Sequence, residues 1–121
     1  MHSTVCQELR VKSWITQLRK GLIEFCVINV LKDSENYGYE IVGRLKDLEV
    51  MDVTESTVYP VLSRLKGEGY LKVRSEPSQS GPPRRYFSLT KLGEQRLREM
   101  NAYWDLLSES IDTVRQSEGA K

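Results

Sequence analysis

Histidine is nearly absent from this chain, and cysteine is scarce. The single histidine is His2, and the only cysteines are Cys6 and Cys26. A structural zinc site needs about four Cys or His ligands, so a metal centre of that kind is excluded. Two cysteines do not make a disulfide framework. Cys26 lies in the apolar run LIEFCVINVL and reads as a small core residue; Cys6, near the terminus, is the candidate for a reactive thiol. One terminal histidine cannot complete a Ser/His/Asp or Cys/His set, and GEG at 67–69 reads as a turn rather than a phosphate cradle. No catalytic residue and no cofactor is therefore expected. Long apolar runs are missing as well. None approaches the roughly 20 residues that cross a bilayer. Residues 1–20 carry Glu8, Arg10, Lys12, Arg19 and Lys20 and lack a secretory core. The expectation is a cytoplasmic protein with no membrane partner.

Excess charge of one sign is also small. The 121 residues hold 18 Lys and Arg against 17 Asp and Glu, for a formal net charge of +1. The distribution is uneven. Residues 64–98 carry nine basic and three acidic side chains, while the segments on either side are net negative. A local basic block steers a polyanion more effectively than a total does. Hydrophobic content of 39% and charged content of 29% fit one folded domain, or a small domain plus an arm.

The chain divides by periodicity. Val11, Trp14, Ile15 and Leu18 recur at helical spacing, which predicts a short helix over 5–18. Residues 19–32 are apolar almost all round, which predicts a second helix buried on most sides. KDSEN supplies turn residues, with Asn36 as the expected cap of the next helix. In YGYEIVGRLKDL, Gly38, Ile41, Leu45 and Leu48 share a face. Thr54 is the expected cap of a third helix that ends at Gly67 and Gly69; Thr57 stands where a capping box would have Glu or Gln. YLKVRSE and RRYFSLT alternate as strands around the loop PSQSGPP, and Thr90 caps a last helix reaching about residue 116. The predicted fold is mainly α with a small β-hairpin: a winged helix-turn-helix domain at 19–90, preceded by a helical arm at 1–18. A long helix at 91–116 and a flexible tail at 117–121 follow.

The third helix contains Pro60, well past its first turn, where proline removes a backbone hydrogen bond. A wheel over 54–68 gathers Val58, Val61, Leu62 and Leu65 on the core face. Ser56, Pro60, Ser63 and Gly67 fall opposite, flanked by Tyr59 and Lys66 on one edge and Thr57 and Arg64 on the other. A small outer face lets a helix axis lie deep in a groove. Ser and Thr can bond bases or phosphates, Tyr59 and Pro60 can meet thymine methyls or sugar, and Arg64 and Lys66 reach phosphates. An ordinary solvated face is the alternative, and the adjacent basic block favours nucleic acid. In the hairpin, Arg84 and Arg85 alternate to opposite sheet faces, so only one is expected to reach DNA, and Arg74 adds to the patch.

The last helix carries a seam. Leu97, Trp104 and Ile111 repeat every seven residues, as do Met100, Leu107 and Val114. Such a two-position repeat suits a partner helix, and a two-fold homodimer is expected. Folding of the seam back onto its own domain is the competing reading.

YGYEIVGRL at 37–45, the T-VYP-L-RL-GEGYL pattern at 57–71 and RRYFSLTKLG at 84–93 resemble the PadR family of bacterial transcriptional regulators, over roughly residues 14–115. The length, with one helix after the wing, resembles the short subfamily with a single C-terminal dimerisation helix. The resemblance implies a homodimeric regulator, usually a repressor, that binds a palindromic operator in double-stranded DNA. It places Thr57, Tyr59 and Pro60 on the recognition helix and Arg84 and Arg85 in the wing. Many members carry arginine just after the wing glycine where this chain has Pro82, which implies a stiffer wing with one fewer phosphate contact. Some short members bind flat aromatic molecules between paired tryptophans at the dimer axis. Trp104, fourteen residues after the threonine of SLT, resembles that position, with Met100, Tyr103 and Leu107 lining the same cavity. Two readings of Trp104 stay open, a site for a small aromatic effector and simple interface packing. For the whole chain the alternative is a winged-helix module that binds another protein and not DNA.

Overall fold

The computed structural model describes residues 4–118, and their side chains from residue 11 onward. His2, the side chain of Cys6, the first residues of the arm and the last three of the tail lie outside that description. The elements are α1 (Thr4–Val30), β1 (Asn36–Tyr37), α2 (Gly38–Lys46), a single 3-10 turn (Glu49–Met51), α3 (Glu55–Gly67), β2 (Leu71–Ser78), β3 (Gly81–Leu89) and α4 (Lys91–Gln116).

The helices expected over 5–18 and 19–32 are one continuous helix, α1. No proline interrupts it, and Gly21 sits within it with open space around its Cα. Burial is also narrower than expected. Ile23, Val27 and Ile28 are buried, with Leu31 just past the helix end, whereas Leu22, Phe25, Cys26 and Val30 are half-buried. Burial pushes the Cys26 thiol pKa up, away from the reactive thiolate. Val11, Trp14 and Leu18 are exposed.

The α2 cap is Tyr37, whose N–H donates to Glu40 Oε1 at 3.0 Å. Asn36, expected in that role, belongs instead to β1, a strand that two residues were too short to signal. Ile41, Val42 and Leu45 are buried; α2 stops at Lys46, so Leu48 leaves the face expected for it and is exposed. At the start of α3, the Thr57 hydroxyl accepts from the Thr54 N–H at 3.0 Å. A threonine thus does what Glu or Gln does in a capping box. The helix ends in a Schellman turn, with Tyr70 N–H donating to Leu65 O at 2.9 Å and Gly69 N–H to Lys66 O at 3.1 Å. Gly69 adopts φ +88°, which glycine takes without strain.

The sheet is antiparallel in the order β1-β3-β2. The expected loop PSQSGPP contracts to a turn at Gln79 and Ser80, and the register shifts between Glu76 and Ser78 around Pro77, which cannot donate to the ladder. Pro82 and Pro83 lie beyond the reach of β1, where β3 has an open edge that tolerates them. The core gathers α1, α2 and α3 over the inner face of the sheet, where Leu71, Phe87 and Leu89 are buried.

Helix α4 begins where expected. The Thr90 hydroxyl accepts from Gly93 N–H at 3.0 Å and donates to Gly69 O at 2.6 Å. A Cβ on Gly93 would lie 2.1 Å from the Tyr70 carbonyl oxygen. Only glycine lets α4 sit this close to the turn that ends α3.

Candidate nucleic-acid interface

Helix α3 stands on Val58, Leu62 and Leu65, all buried, while Val61, expected with them, is half-buried. Ser56, Thr57, Tyr59, Pro60, Ser63, Arg64, Lys66 and Gly67 are all exposed. Pro60 leaves the Ser56 carbonyl without its helical donor. That carbonyl belongs to the exposed face, where water can satisfy it, and this explains why the helix accepts the proline.

Tyr59 is anchored from below. A Cβ on Gly38 would meet its ring at 3.2 Å and the Phe87 ring at 3.3 Å. The absent side chain of Gly38 therefore lets Tyr59 rest on the start of α2. Partial burial, then the nearby Glu55 carboxylate, push the phenol pKa upward, so its hydroxyl stays a donor at neutral pH.

The hairpin separates its arginines as alternation requires. Arg85 is on the inner side with Phe87, 5.7 Å from that ring centroid, and its charge acts on the Tyr59 hydroxyl. Arg84 is on the outer side, 5.3 Å from the Tyr37 ring centroid. Arg74 is also on the outer side. It stacks on Tyr86 at 4.7 Å and pairs with Glu35 at 2.5 Å and with Glu76. These bonds push the Arg74 pKa up, and Arg74 holds the Glu35 carboxyl below its usual range.

The cations around α3 thus fall into two kinds. Arg64 and Arg74 each share two carboxylates, Arg64 with Glu24 at 2.8 Å and Glu68 at 3.0 Å. Lys66, Arg84 and Arg85 have no carboxylate within ion-pair distance among the described residues. At Glu24 burial acts to raise the carboxyl pKa, but bonds from Arg96 and Arg64 outweigh it and hold the group below its usual range.

The seam of α4 divides in two. Leu97 and Met100 pack against the chain's own core, as the fold-back reading had it. Trp104 packs against Phe25 with ring centroids 5.3 Å apart and planes tilted by 36°. Beyond it, Ile111 and Val114 are exposed, and Leu107 is half-buried. Met100, Tyr103, Trp104 and Leu107 do line one cavity, a groove of about 440 Å³ between α1 and α4. Leu18, Leu22 and Phe25 form its other wall, with Arg96 and Glu99 at its polar side.

Three helices, a wing against the third of them and a long final helix define a winged helix-turn-helix fold. Residues 27–99 match the model of the transcriptional regulator PadR-like family, and the chain belongs to that family. A PadR family transcriptional regulator from Eggerthella lenta superposes with a TM-score of 0.80 at 28% identity, over 94% of this chain and 99% of that one. A PadR-like transcription factor from Bacteroides fragilis gives 0.71 at 38% identity, over 87% and 98%. PadR of Bacillus subtilis, solved in complex with operator DNA, shares the fold with a TM-score of 0.60 at 23% identity, over 65% of this chain and 46% of that one.

Sequence reading passed over Glu24, and placed Gly38 on the apolar face of α2 without its role beneath Tyr59. Both had a signal. Glu24 is the only charged residue in LIEFCVINVL, and Gly38 stands between two tyrosines at the start of a helix.

Proposed function

We propose that this transcription regulator is a homodimeric repressor that reads a palindromic operator through α3 and the wing. The observation that carries the reading is the outer face of α3. Ser56, Pro60, Ser63 and Gly67 are small and exposed, and Thr57, Tyr59 and Lys66 flank them. That shape admits the helix axis close to base edges, and its hydroxyls are the groups that bond them. Arg85 extends the positive surface from the wing on the same side as Tyr59. Arg84 adds charge at the margin, where Arg74 and Arg64 also stand, each offset by the two carboxylates beside it. The operator complex of the Bacillus subtilis relative supports DNA as the partner. A contiguous apolar patch, which a protein-binding winged helix would present on this face, is absent from the described residues of α3.

The exposed apolar part of α4, Trp104 through Val114, together with Val11, Trp14 and Leu18 of α1, supports self-association. Two such domains would set their recognition helices about 34 Å apart, one turn of the duplex. The groove at Trp104, about 440 Å³, has the volume for a flat aromatic effector, and its lining of Phe25, Trp104 and compliant Met100 suits one.

A gel shift with the protein's own upstream DNA against random duplex of equal length tests the reading. Preference for the upstream DNA, with affinity falling steeply as salt rises, is expected. Equal affinity for both duplexes would count decisively against it.

A further inference from the structure

We infer that Glu24 is a positioning residue for DNA recognition, a single carboxylate that joins the recognition helix to α4 and makes the seat of α3 depend on the α1–α4 groove. The inference rests on the DNA-binding reading above and concerns its regulation.

Glu24 divides its two oxygens between two helices. Oε1 accepts from Arg64 Nη2 on α3 at 2.8 Å, and Oε2 accepts from Arg96 Nε on α4 at 2.5 Å. The Glu24 side chain is only 13% exposed. Arg96 in turn donates to the Tyr70 hydroxyl at 3.0 Å and lies 4.4 Å from that ring centroid. Tyr70 is the residue whose N–H closes the Schellman turn of α3. Arg96 therefore grips the end of the recognition helix twice, once through Glu24 and Arg64 and once through Tyr70.

Apolar packing between helices is forgiving of small slides, whereas charge-assisted bonds fix both distance and direction. A partly buried charge that loses one of two partners is left undercompensated, so its members move together. Arg96 also forms part of the wall of the α1–α4 groove. Any event there that draws Arg96 away, whether a bound molecule or a second subunit, leaves Glu24 to Arg64 alone. Arg64 adjoins Ser63 and follows Pro60 by one helical turn, so its tether reaches the face that meets DNA.

The test uses the full chain and fluorescence anisotropy at one salt concentration. The quantity read is the ratio of affinities for the protein's own upstream duplex and a random duplex. Glu24→Gln should lower that ratio about tenfold, and Arg96→Gln, remote from the exposed face of α3, about threefold or more. The double variant should fall well short of the product of the two single effects, because both substitutions open the same joint, with only the Arg96–Tyr70 contact left to add to the Glu24→Gln loss. An Arg96→Gln ratio equal to wild type, or single effects that simply multiply, would overturn the inference. Should Glu24→Gln fail to fold, the Arg64→Gln and Arg96→Gln cycle takes its place. Non-multiplicative effects there support the joint, and multiplicative ones overturn it. A wild-type ratio near one would sink the DNA-binding reading, and the joint with it. A specific wild type with indifferent variants would sink the joint alone.

Discussion

Helices α3 and α4 follow the same plan and expose opposite chemistry. Each rests an apolar stripe on the core. The outer face of α3 is small and polar, at Ser56, Pro60, Ser63 and Gly67. The outer reach of α4 is large and apolar, with Tyr103 at 64% exposed, Leu106 at 63% and Val114 at 73%. Desolvating that apolar area favours association with another protein surface. The α3 face has almost nothing to gain from such burial and much to gain from hydrogen bonds and phosphate charge. The difference is what supports the proposal that one helix meets a polyanion and the other a second copy of the chain.

The comparison can be broken most severely at α4. Leu107→Lys places a charge in the seam and should convert the dimer to monomer, with specific DNA affinity falling more than about a hundredfold. Sedimentation velocity showing an intact dimer would reject the seam. The junction between the two helices comes next. Gly93→Ala drives a methyl against the Tyr70 carbonyl and should cost on the order of 2–3 kcal/mol, visible as a lowered melting midpoint. On α3, Ser63→Leu should hold the helix axis away from the bases. About a tenfold loss of specific affinity is expected, with unchanged melting, since the residue is exposed. The wing offers a finer contrast. Arg85→Ala should reduce the salt dependence of binding by about one phosphate contact, whereas Arg74→Ala, already neutralised by Glu35 and Glu76, should leave it nearly unchanged. Equal slopes for the two variants would show that the ion pairs do not withhold Arg74.

The smallest expected effect is on pH. The Glu24 carboxyl is held below its ordinary value of 4.5, so it contributes stability that is present above that value and is lost as pH falls through the folded pKa. The wild-type melting temperature should therefore drop more steeply below about pH 4.5 than that of Glu24→Gln. Parallel curves would mean the charge pair contributes nothing to the fold.

The helices and the hairpin were legible because their periodicities are long and regular, and α4 starts and stops where its cap and pattern place it. The division of α3 into a buried stripe and an exposed face was legible for the same reason, since a wheel sorts Val58, Leu62 and Leu65 from Ser56, Pro60 and Ser63. What escaped is tertiary. Nothing local marks α1 as continuous, and β1 exists only because Tyr86 and Phe87 pair with it. The proline-rich stretch signalled a loop, yet the strands run through it to leave only Gln79 and Ser80 as the turn, with the Ser78–Gly81 pair closing the hairpin. Of the carboxylates that hold Arg64 and Arg74, Glu24 and Glu35 lie 40 and 39 positions away and carry no local signal, whereas Glu68 and Glu76, four and two positions away, were legible from spacing and went unread. The seam was legible as a seven-residue repeat. Periodicity could not divide it, because Leu97 and Met100 find their cover in the chain's own core.

Hydroxyl-radical footprinting of the wild-type protein on its own upstream DNA tests the central claim most directly. A dimer reading DNA through paired α3 helices should protect two symmetric half-sites about one helical turn apart, 10 to 10.5 base pairs centre to centre. A single protected site, or protection with no preferred position, would contradict it.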